Sequence, residues 1–420
     1  MRRRVAVVGM AGLTPLGHDW PTIRAQMSAG KSGIRAMSDW DRFTSINTRL
    51  AAPLPPGWGE KFDRKKSRTM GPVARMAVRA TEKALQQADL LNDARLASGR
   101  MGIAFGSSFG SPGPVTAFAE LMTTGTSRTL NATSYIQMMS HTAAVNIGIY
   151  FGIRGRIITT SSACTSGSQA IGYAAEAIRF GKADLMIAGG ADELDVTEAA
   201  VFDTLYATSV RNDQPHRTPR PFDRDRDGLV IGEGAGVLIL EEWQQAVARG
   251  ARIVAEVVGF ATNSDGNHIT QPHPDTIEQV MRLALEDAML QADAIDFISG
   301  HGTATEFGDI VESQATAQLF ADRVPFHSLK GYFGHTLGAC GAIEAWLAIE
   351  MMHDAWFCPN LNLETVDSRC ASIDYVMHHP RTLSVRHLMS NNFAFGGINT
   401  SLILRRVDNG TLCTTAQCNG

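Results

Sequence analysis

The sequence predicts an α/β protein in which strands and helices alternate along the whole chain. Three observations predict it. Short runs rich in β-branched residues recur from one end to the other, apolar residues at three- and four-residue steps flank most of them, and the two ends echo each other. The echo lies between VAVVGMAGLTPLG near the start and AEVVGFATNSDG near residue 255, which both run a strand into a glycine-containing turn. It predicts two similar halves joined near residues 243 to 252, with an N-terminal half over 1–247, a C-terminal half over 248–408 and a polar tail over 409–420.

In chain order the predicted strands are RVAVVG, MGIAFGS, RIITTSS, DLMIAGGAD, GVLILEE, RIVAEVVGFATNS, DFISGHG, PFHSLKG and SLILRR. Each is a short run without helical period. Helices are predicted over 71–90, 166–180, 275–290 and 339–353, where apolar residues fall on one face. The opening MRRRVAVVGMAGLTPLG has basic residues before an apolar run. Gly9, Gly12, Thr14 and Pro15 break that run, so it reads as a buried first strand and not as a leader peptide.

A chain of 420 residues with 44% hydrophobic and 19% charged residues has enough apolar material for one large core or two fused ones. The formal charge of −4 argues against a broadly basic surface for nucleic acid or membrane, while leaving room for a local basic patch. No stretch approaches the roughly 20 apolar residues of a membrane span. The six cysteines, Cys164, Cys340, Cys358, Cys370, Cys413 and Cys418, form no CxxC pair and no regular spacing with histidine. Neither a disulfide framework nor a metal site is signalled, and a reducing cytoplasm fits best.

Within TTSSACTSGSQAIG, Cys164 falls between the β-branched run 156–162 and a helical face of Ala170, Ile171, Ala174, Ala175 and Ile178. A cysteine at a strand-to-helix turn feels the unpaired N–H groups and the positive end of the helix, which favour thiolate. Small neighbours leave room for a substrate. His301 in GHGTATEFGD and His335 in KGYFGHTLGACGAIEA both stand in strand-end loops, where catalytic groups of α/β proteins emerge. Lys330 precedes His335 by five residues. The glycine-rich GEGAG lies before a strand and is no phosphate loop, Cys340 reads as packing, and His268 and His273 fit a channel wall or a plain loop equally well.

SSACTSG, RPFDRDRDGLVIGEGAG, HGTATEFGD, KGYFGHTLGACGAIEA and NNFAFGGINTSLIL occur in this order, and over about residues 4 to 406 the chain resembles the β-ketoacyl-acyl-carrier-protein synthases of the thiolase superfamily. The resemblance implies two βαβαβαββ halves in a layered α-β-α-β-α arrangement. It implies a decarboxylative Claisen condensation with no cofactor, the substrates riding on the phosphopantetheine of an acyl carrier protein. Cys164 would take the acyl group, and His301 and His335 would hold the malonyl thioester carbonyl and its enolate. Lys330 would tune the histidines and an adjacent carboxylate, for which Glu344 is the matching acidic residue. The main-chain N–H groups of Cys164 and Phe395 would form an oxyanion hole, with Phe395 also at a gate position beside the flexible Gly396 and Gly397.

Thr303 and Thr305 match hydroxyls that bond the pantetheine arm, on one side of an extended segment. Ala304, Glu306 and Phe307 depart from the usual wording. Phe109 in GSSFGSPG would sit at the bottom of the acyl pocket and limit chain length. Arg64, Lys65, Lys66 and Arg68, with Arg211, would receive the acidic carrier protein. Residues 134 to 152 match a dimer-interface region, with Met138 and Met139 adaptable to unusual chains. The partner would be a second copy or a ketosynthase-like subunit. The departures point toward a specialised pathway such as type II polyketide or aryl polyene assembly, with fatty-acid elongation left open. The competing readings are a chain-length-determining partner, which typically lacks the cysteine, and a cysteine hydrolase, which has no use for a second histidine. A thiolase proper would carry a second cysteine where Asn391, Asn392 and Phe393 stand.

Overall fold

The structure is a computed structural model and describes residues 2–59 and 62–408. The tail 409–420 lies outside the described residues. Strand β1 is Val5–Leu13, helix α1 Pro72–Gln87, β2 Met101–Gly106, α2 Thr142–Phe151, β3 Ile157–Thr160, α3 Ser166–Arg179, β4 Leu185–Asp192 and β5 Gly234–Glu242. The pattern then repeats, with β6 at Ala255–Ser264, α4 Pro274–Ala288, β7 Phe297–Ser299, α5 Glu306–Phe320, β8 Phe326–His327, α6 Cys340–Asp354, β9 His387–Ala394 and β10 Ile398–Arg406. Both series read βαβαβαββ.

The spatial order repeats as well. The strands run β3-β2-β4-β5-β1 and then β6-β10-β9-β7-β8. In each half the first strand pairs antiparallel with the last, the last antiparallel with the fourth, and the remaining pairs, toward the edge, are parallel. The halves meet where β1 and β6 pair antiparallel at Ala6 with Glu256 and Val7 with Ala255. Helices α1 and α2 cover the outer face of the first sheet, α4 and α5 that of the second, and α3 and α6 pack between the two. This is the layered arrangement that the resemblance implies.

The central helices explain their own sequences. Along Ser166–Arg179 and Cys340–Asp354 nearly every residue is buried, so neither helix can keep a polar outer face. Small residues let them approach: a Cβ on Gly167 would lie 2.8 Å from the carbonyl oxygen of Gly338, and one on Gly172 would lie 2.1 Å from the Phe260 ring on β6. The nine predicted strands are all present, with PFHSLKG reduced to Phe326–His327. Of the sixteen elements of the two series, three lie outside the sequence reading. Helices α2 and α5 and strand β9 are missed, the last two because polar residues line their buried faces: Asp309, Glu312, Ser313 and Thr316 on α5, and Ser390, Asn391 and Asn392 on β9.

Gly172→Ala drives a methyl group into the ring of Phe260 across the junction of the halves. The variant is expected to lose about 1–3 kcal/mol of stability, read as a lowered urea midpoint, and an unchanged midpoint contradicts this packing.

Candidate active site at the junction of the halves

Strand β3 ends at Thr160, and a 3₁₀ turn over Ala163–Thr165 leads directly into α3. Ala163 has φ of 49°, a left-handed conformation uncommon outside glycine. Hydroxyls hold this elbow. Ser166 Oγ donates to the Ala163 carbonyl at 2.7 Å and accepts the Ser162 N–H at 2.9 Å, while Thr165 Oγ1 donates to the Ser162 carbonyl at 2.7 Å. The serines and threonines around Cys164 are therefore the clamp of a strained turn. The turn points Cys164 into a cleft of about 400 Å³ that also receives His301 and His335.

Cys164 Sγ lies 2.8 Å from His335 Nε2. The two imidazole rings are 5.3 Å apart at 86°, and Sγ with one nitrogen from each histidine falls within 4.8 Å. The tautomers follow from the second nitrogens. The Leu337 N–H donates to His335 Nδ1 at 3.3 Å, and the Lys330 ammonium stands 3.1 Å from His301 Nδ1. Both Nδ1 atoms act as acceptors, so both protons sit on Nε2. Two N–H donors converging on one point suit an oxyanion and not a metal ion, which needs lone pairs there.

Burial holds both histidines well below the usual imidazole range, aided at His301 by Lys330 and His335 and at His335 by Lys330. Both are neutral at pH 7. Lys330 is 2% exposed; burial opposes its charge, but Glu344, with Oε1 at 2.7 Å, together with Cys340 and Glu312 outweighs this and raises its pKa. Lys330 also donates to the His301 carbonyl at 2.6 Å, and Asn392 Nδ2 donates to the other oxygen of Glu344 at 2.7 Å. For Cys164 the helix terminus does not prevail. Burial pushes the thiol up to about 12, against the lowering effect of Lys330 and of the main-chain N–H groups of Cys164 and Phe395.

Those two N–H groups therefore address the sulfur. Phe395 is placed by the turn between β9 and β10, where Gly396 and Gly397 have φ of 90° and 71°. Its half-buried ring lies 5.2 Å from that of Phe202. Thr303 and Thr305 line the same cleft and their hydroxyls share a hydrogen bond at 2.8 Å. The segment between them is not extended, as the sequence suggests, but a turn. Ala304 has φ of 63°, and Asp309 accepts the N–H groups of Thr303 and Ala304 at 3.0 and 3.1 Å.

Phe109 is not brought to this cleft. Asp192 accepts the hydroxyls of Ser107 and Ser108, both at 2.6 Å, and the following ring turns outward, 42% exposed, into a separate surface depression of about 540 Å³ with Met138 and Met139. Arg64, Lys65, Lys66 and Arg68 are all exposed on a turn, Lys66 donating to the Tyr150 carbonyl at 3.1 Å. Arg211 is tied within its own loop, to the Asp225 carbonyl at 2.6 Å and Asp227 at 3.4 Å. His268 lines the cleft mouth. The sequence reading missed Asn392, and also Glu312, which accepts the N–H groups of His301 and Gly302 at 2.6 and 2.7 Å. Asn392 lies inside a quoted motif; Glu312 carries no signal, being one acid of a polar helix.

A buried cysteine on a helix-capped elbow, facing two neutral N–H imidazoles, defines an acyl-transferring thiol enzyme. Residues 2–246 match the family "Beta-ketoacyl synthase, N-terminal domain" and residues 254–364 "Beta-ketoacyl synthase, C-terminal domain". The chain is 35% identical over 416 residues to 3-oxoacyl-[acyl-carrier-protein] synthase 2 of Vibrio cholerae, covering 97% of this chain and 100% of the relative. It is also similar to the crystal structure of a beta-ketoacyl synthase from Burkholderia phymatum, with TM-score 0.95, 56% identity and coverage of 97% and 100%. A third similar structure is a type II PKS acyl-carrier protein in complex with its ketosynthase, with TM-score 0.85, 28% identity and coverage of 97% and 100%. The chain belongs to the beta-ketoacyl synthase family, and its chemistry is that of a condensing enzyme.

Glu344→Ala leaves the ammonium of Lys330 buried without its carboxylate. Stability is expected to fall by about 3–5 kcal/mol, measured by chemical denaturation; a variant as stable as the wild type contradicts the ion pair.

Proposed function

We propose that this chain joins an acyl group carried on Cys164 to the two-carbon unit left by decarboxylation of malonyl-acyl-carrier protein, giving 3-oxoacyl-acyl-carrier protein. The observation that carries the reading is the convergence of two Nε2–H donors on the cleft in front of the Cys164 sulfur. First, Cys164 displaces the carrier thiol from an acyl thioester, giving acyl-Cys164 and free carrier thiol; the N–H groups of Cys164 and Phe395 receive the oxyanion. Malonyl carrier protein then enters past Thr303 and Thr305. Loss of carbon dioxide leaves an enolate whose oxygen accepts from His301 and His335. The enolate carbon attacks the Cys164 thioester, and the C–S bond breaks to release the product and a thiolate that takes up a proton to restore the Cys164 thiol.

Burial supports this division of labour. A desolvated imidazole kept neutral donates a proton-bearing nitrogen without holding a positive charge that would trap the enolate. The partner is an acyl carrier protein, received by the exposed Arg64, Lys65, Lys66 and Arg68, with Arg211 as a weaker candidate because its charge is already engaged. A second ketosynthase-like chain, identical or not, would cover the edge strand β3 and neighbouring α2, where Ile157 and Ile149 are 44% and 62% exposed. The intact cysteine and both histidines weigh against a role as chain-length partner alone. No helix among the described residues is long and apolar enough to cross a membrane; a cytoplasmic setting accords with the free thiols Cys164, Cys340, Cys358 and Cys370. Fatty-acid and type II polyketide or aryl polyene synthesis both use this chemistry.

Cys164→Ala is expected to abolish acyl loading, read by intact mass, while retaining malonyl decarboxylation; His301→Ala or His335→Ala should each slow decarboxylation by about 10²–10³. Loading of the Cys164→Ala chain, or undiminished decarboxylation without a histidine, contradicts the assignments. Because both imidazole pKa values are lowered, the neutral form is already full at pH 7 and persists as pH falls through about 6.5. Decarboxylation should therefore stay flat from about pH 8 to about pH 6, and a tenfold fall over that range contradicts it. Lys65→Glu with Lys66→Glu should raise KM for the carrier protein roughly tenfold and leave kcat unchanged.

A further inference from the structure

Thr305 immediately precedes α5, the position where a threonine hydroxyl ordinarily bonds a main-chain N–H of the first turn. Here the hydroxyl makes no such bond. Its Oγ1 shares a hydrogen bond of 2.8 Å with Thr303 Oγ1, and both residues line the cleft that leads to Cys164. Gly308 gives the pair room, since a Cβ there would lie 2.5 Å from Thr305 Oγ1 and 3.3 Å from Thr303 Oγ1. The turn that carries them is left-handed at Ala304, with φ of 63°, and relaxes unless its neighbours hold it.

The hold comes from two sides. Asp309 accepts the N–H groups at the start of the turn, from Thr303 and Ala304. The carbonyls at its end are held by Arg226, which belongs to the segment between β4 and β5 in the first half. Arg226 Nε donates to the Thr305 carbonyl at 3.1 Å and Nη2 to the Glu306 carbonyl at 2.8 Å. The helical bond to the same Thr305 carbonyl, from the Asp309 N–H, is longer at 3.4 Å. Nη1 donates to the Asp223 carbonyl at 2.9 Å and to Asp367 at 2.6 Å, which fixes the guanidinium itself. The Arg226 side chain is 2% exposed, whereas that of Arg224, in the same RPFDRDRDGLVIGEGAG stretch, is 63% exposed. One arginine of that stretch therefore faces solvent and the other is built into the wall behind the threonines.

We propose that Arg226 is a positioning residue for substrate: by pinning the carbonyls of Thr305 and Glu306 it holds the Thr303 and Thr305 hydroxyls where they bond the amides of the pantetheine arm. A planar guanidinium serves two carbonyls and a carboxylate at fixed angles, which a lysine ammonium cannot reproduce. Arg226 acts through the threonines, so its loss displaces their hydroxyls without removing them, and a small displacement of a positioning group lowers the rate for the substrate it positions. The inference rests on the condensing reading, in which the arm passes these threonines.

The test is loading of Cys164, followed by intact mass, from two thioesters of one acyl group: the S-pantetheine ester, which carries the amides, and the S-ethyl ester, which carries none. Cys164 exchanges with either, forming acyl-Cys164 and releasing pantetheine or ethanethiol. The ratio of the two rate constants does not depend on how much of a variant is folded. Wild type is expected to load from the pantetheine ester about tenfold faster or more. Arg226→Lys keeps a positive charge facing Asp367 but loses the paired carbonyl bonds; it should bring the ratio to within about threefold of unity and leave S-ethyl loading within about threefold of wild type. Thr303→Val with Thr305→Val should collapse the ratio alike, and adding Arg226→Lys to that pair should change it no further. A ratio that survives in Arg226→Lys overturns the proposal. So does a further fall in the valine background, or an equal loss with both esters, which marks a merely structural role. Equal loading of wild type from the two esters overturns it as well, since no amide is then held. If neither ester loads wild-type Cys164, the condensing reading falls and the proposal with it.

Discussion

An ammonium group with 2% exposure must find partners or lose its proton, and Lys330 finds three: Glu344, the carbonyl of His301 and the Nδ1 of the same ring. Each bond does something for the site. Glu344 keeps the ammonium charged, the carbonyl bond fixes the loop after β7, and the ring contact occupies Nδ1 so that the imidazole proton must sit on Nε2. Asn392 holds the far oxygen of Glu344 and brings β9 into the same network. The charge that makes His301 a neutral donor is therefore maintained by groups from four elements of the second half. His335 reaches the same state by a different route, through the N–H of Leu337.

The duplicated fold explains how these groups come together. Helices α3 and α6 hold equivalent positions in the two halves and pack against each other between the sheets, their N-termini approaching closely enough that Cys340 Sγ lies 3.3 Å from the Cys164 carbonyl. One half thus delivers the nucleophile on a strained elbow and the other delivers the donors. The glycines at 167, 338 and 341 permit the approach, since a Cβ at any of them would lie within 3.0 Å of facing groups. Cys164, His301 and His335 are each buried to 95% or more, and the cleft that reaches them is lined by Thr303 and Thr305. This burial costs the thiol some nucleophilicity, since it raises the thiol pKa, and strengthens the two N–H pairs electrostatically.

Much of this was legible in the sequence, and what was not follows a physical rule. The apolar strands Val5–Leu13 and Leu185–Asp192 announce themselves because their burial is hydrophobic, and Cys164, His301 and His335 stand in turns between clear periodic patterns. Helix α5 and strand β9 hide because their inward faces are polar: Asp309 and Glu312 hold the Thr303 and His301 loops, and Asn392 holds Glu344. A residue that serves the site by bonding main-chain N–H groups breaks the very periodicity that would reveal its element. The reading of Cys164 as a helix-activated thiolate fails for a related reason. The helix end is visible in sequence, but the depth of burial that outweighs it is a property of both halves together. Phe109 likewise faces outward because Asp192 draws in the two serines before it, a contact across 84 residues from Ser108.

The condensing site depends on two neutral imidazoles that carry their protons on Nε2, one set by Lys330 and one by Leu337. The most direct measurement is the ¹⁵N–¹H correlation spectrum of the histidine-labelled chain, followed from about pH 8 to about pH 6, with His301→Ala and His335→Ala used to assign the signals. Neutral Nε2–H rings are expected at both positions throughout. An imidazolium pattern at either, or a proton on Nδ1 of either ring, would contradict this assignment.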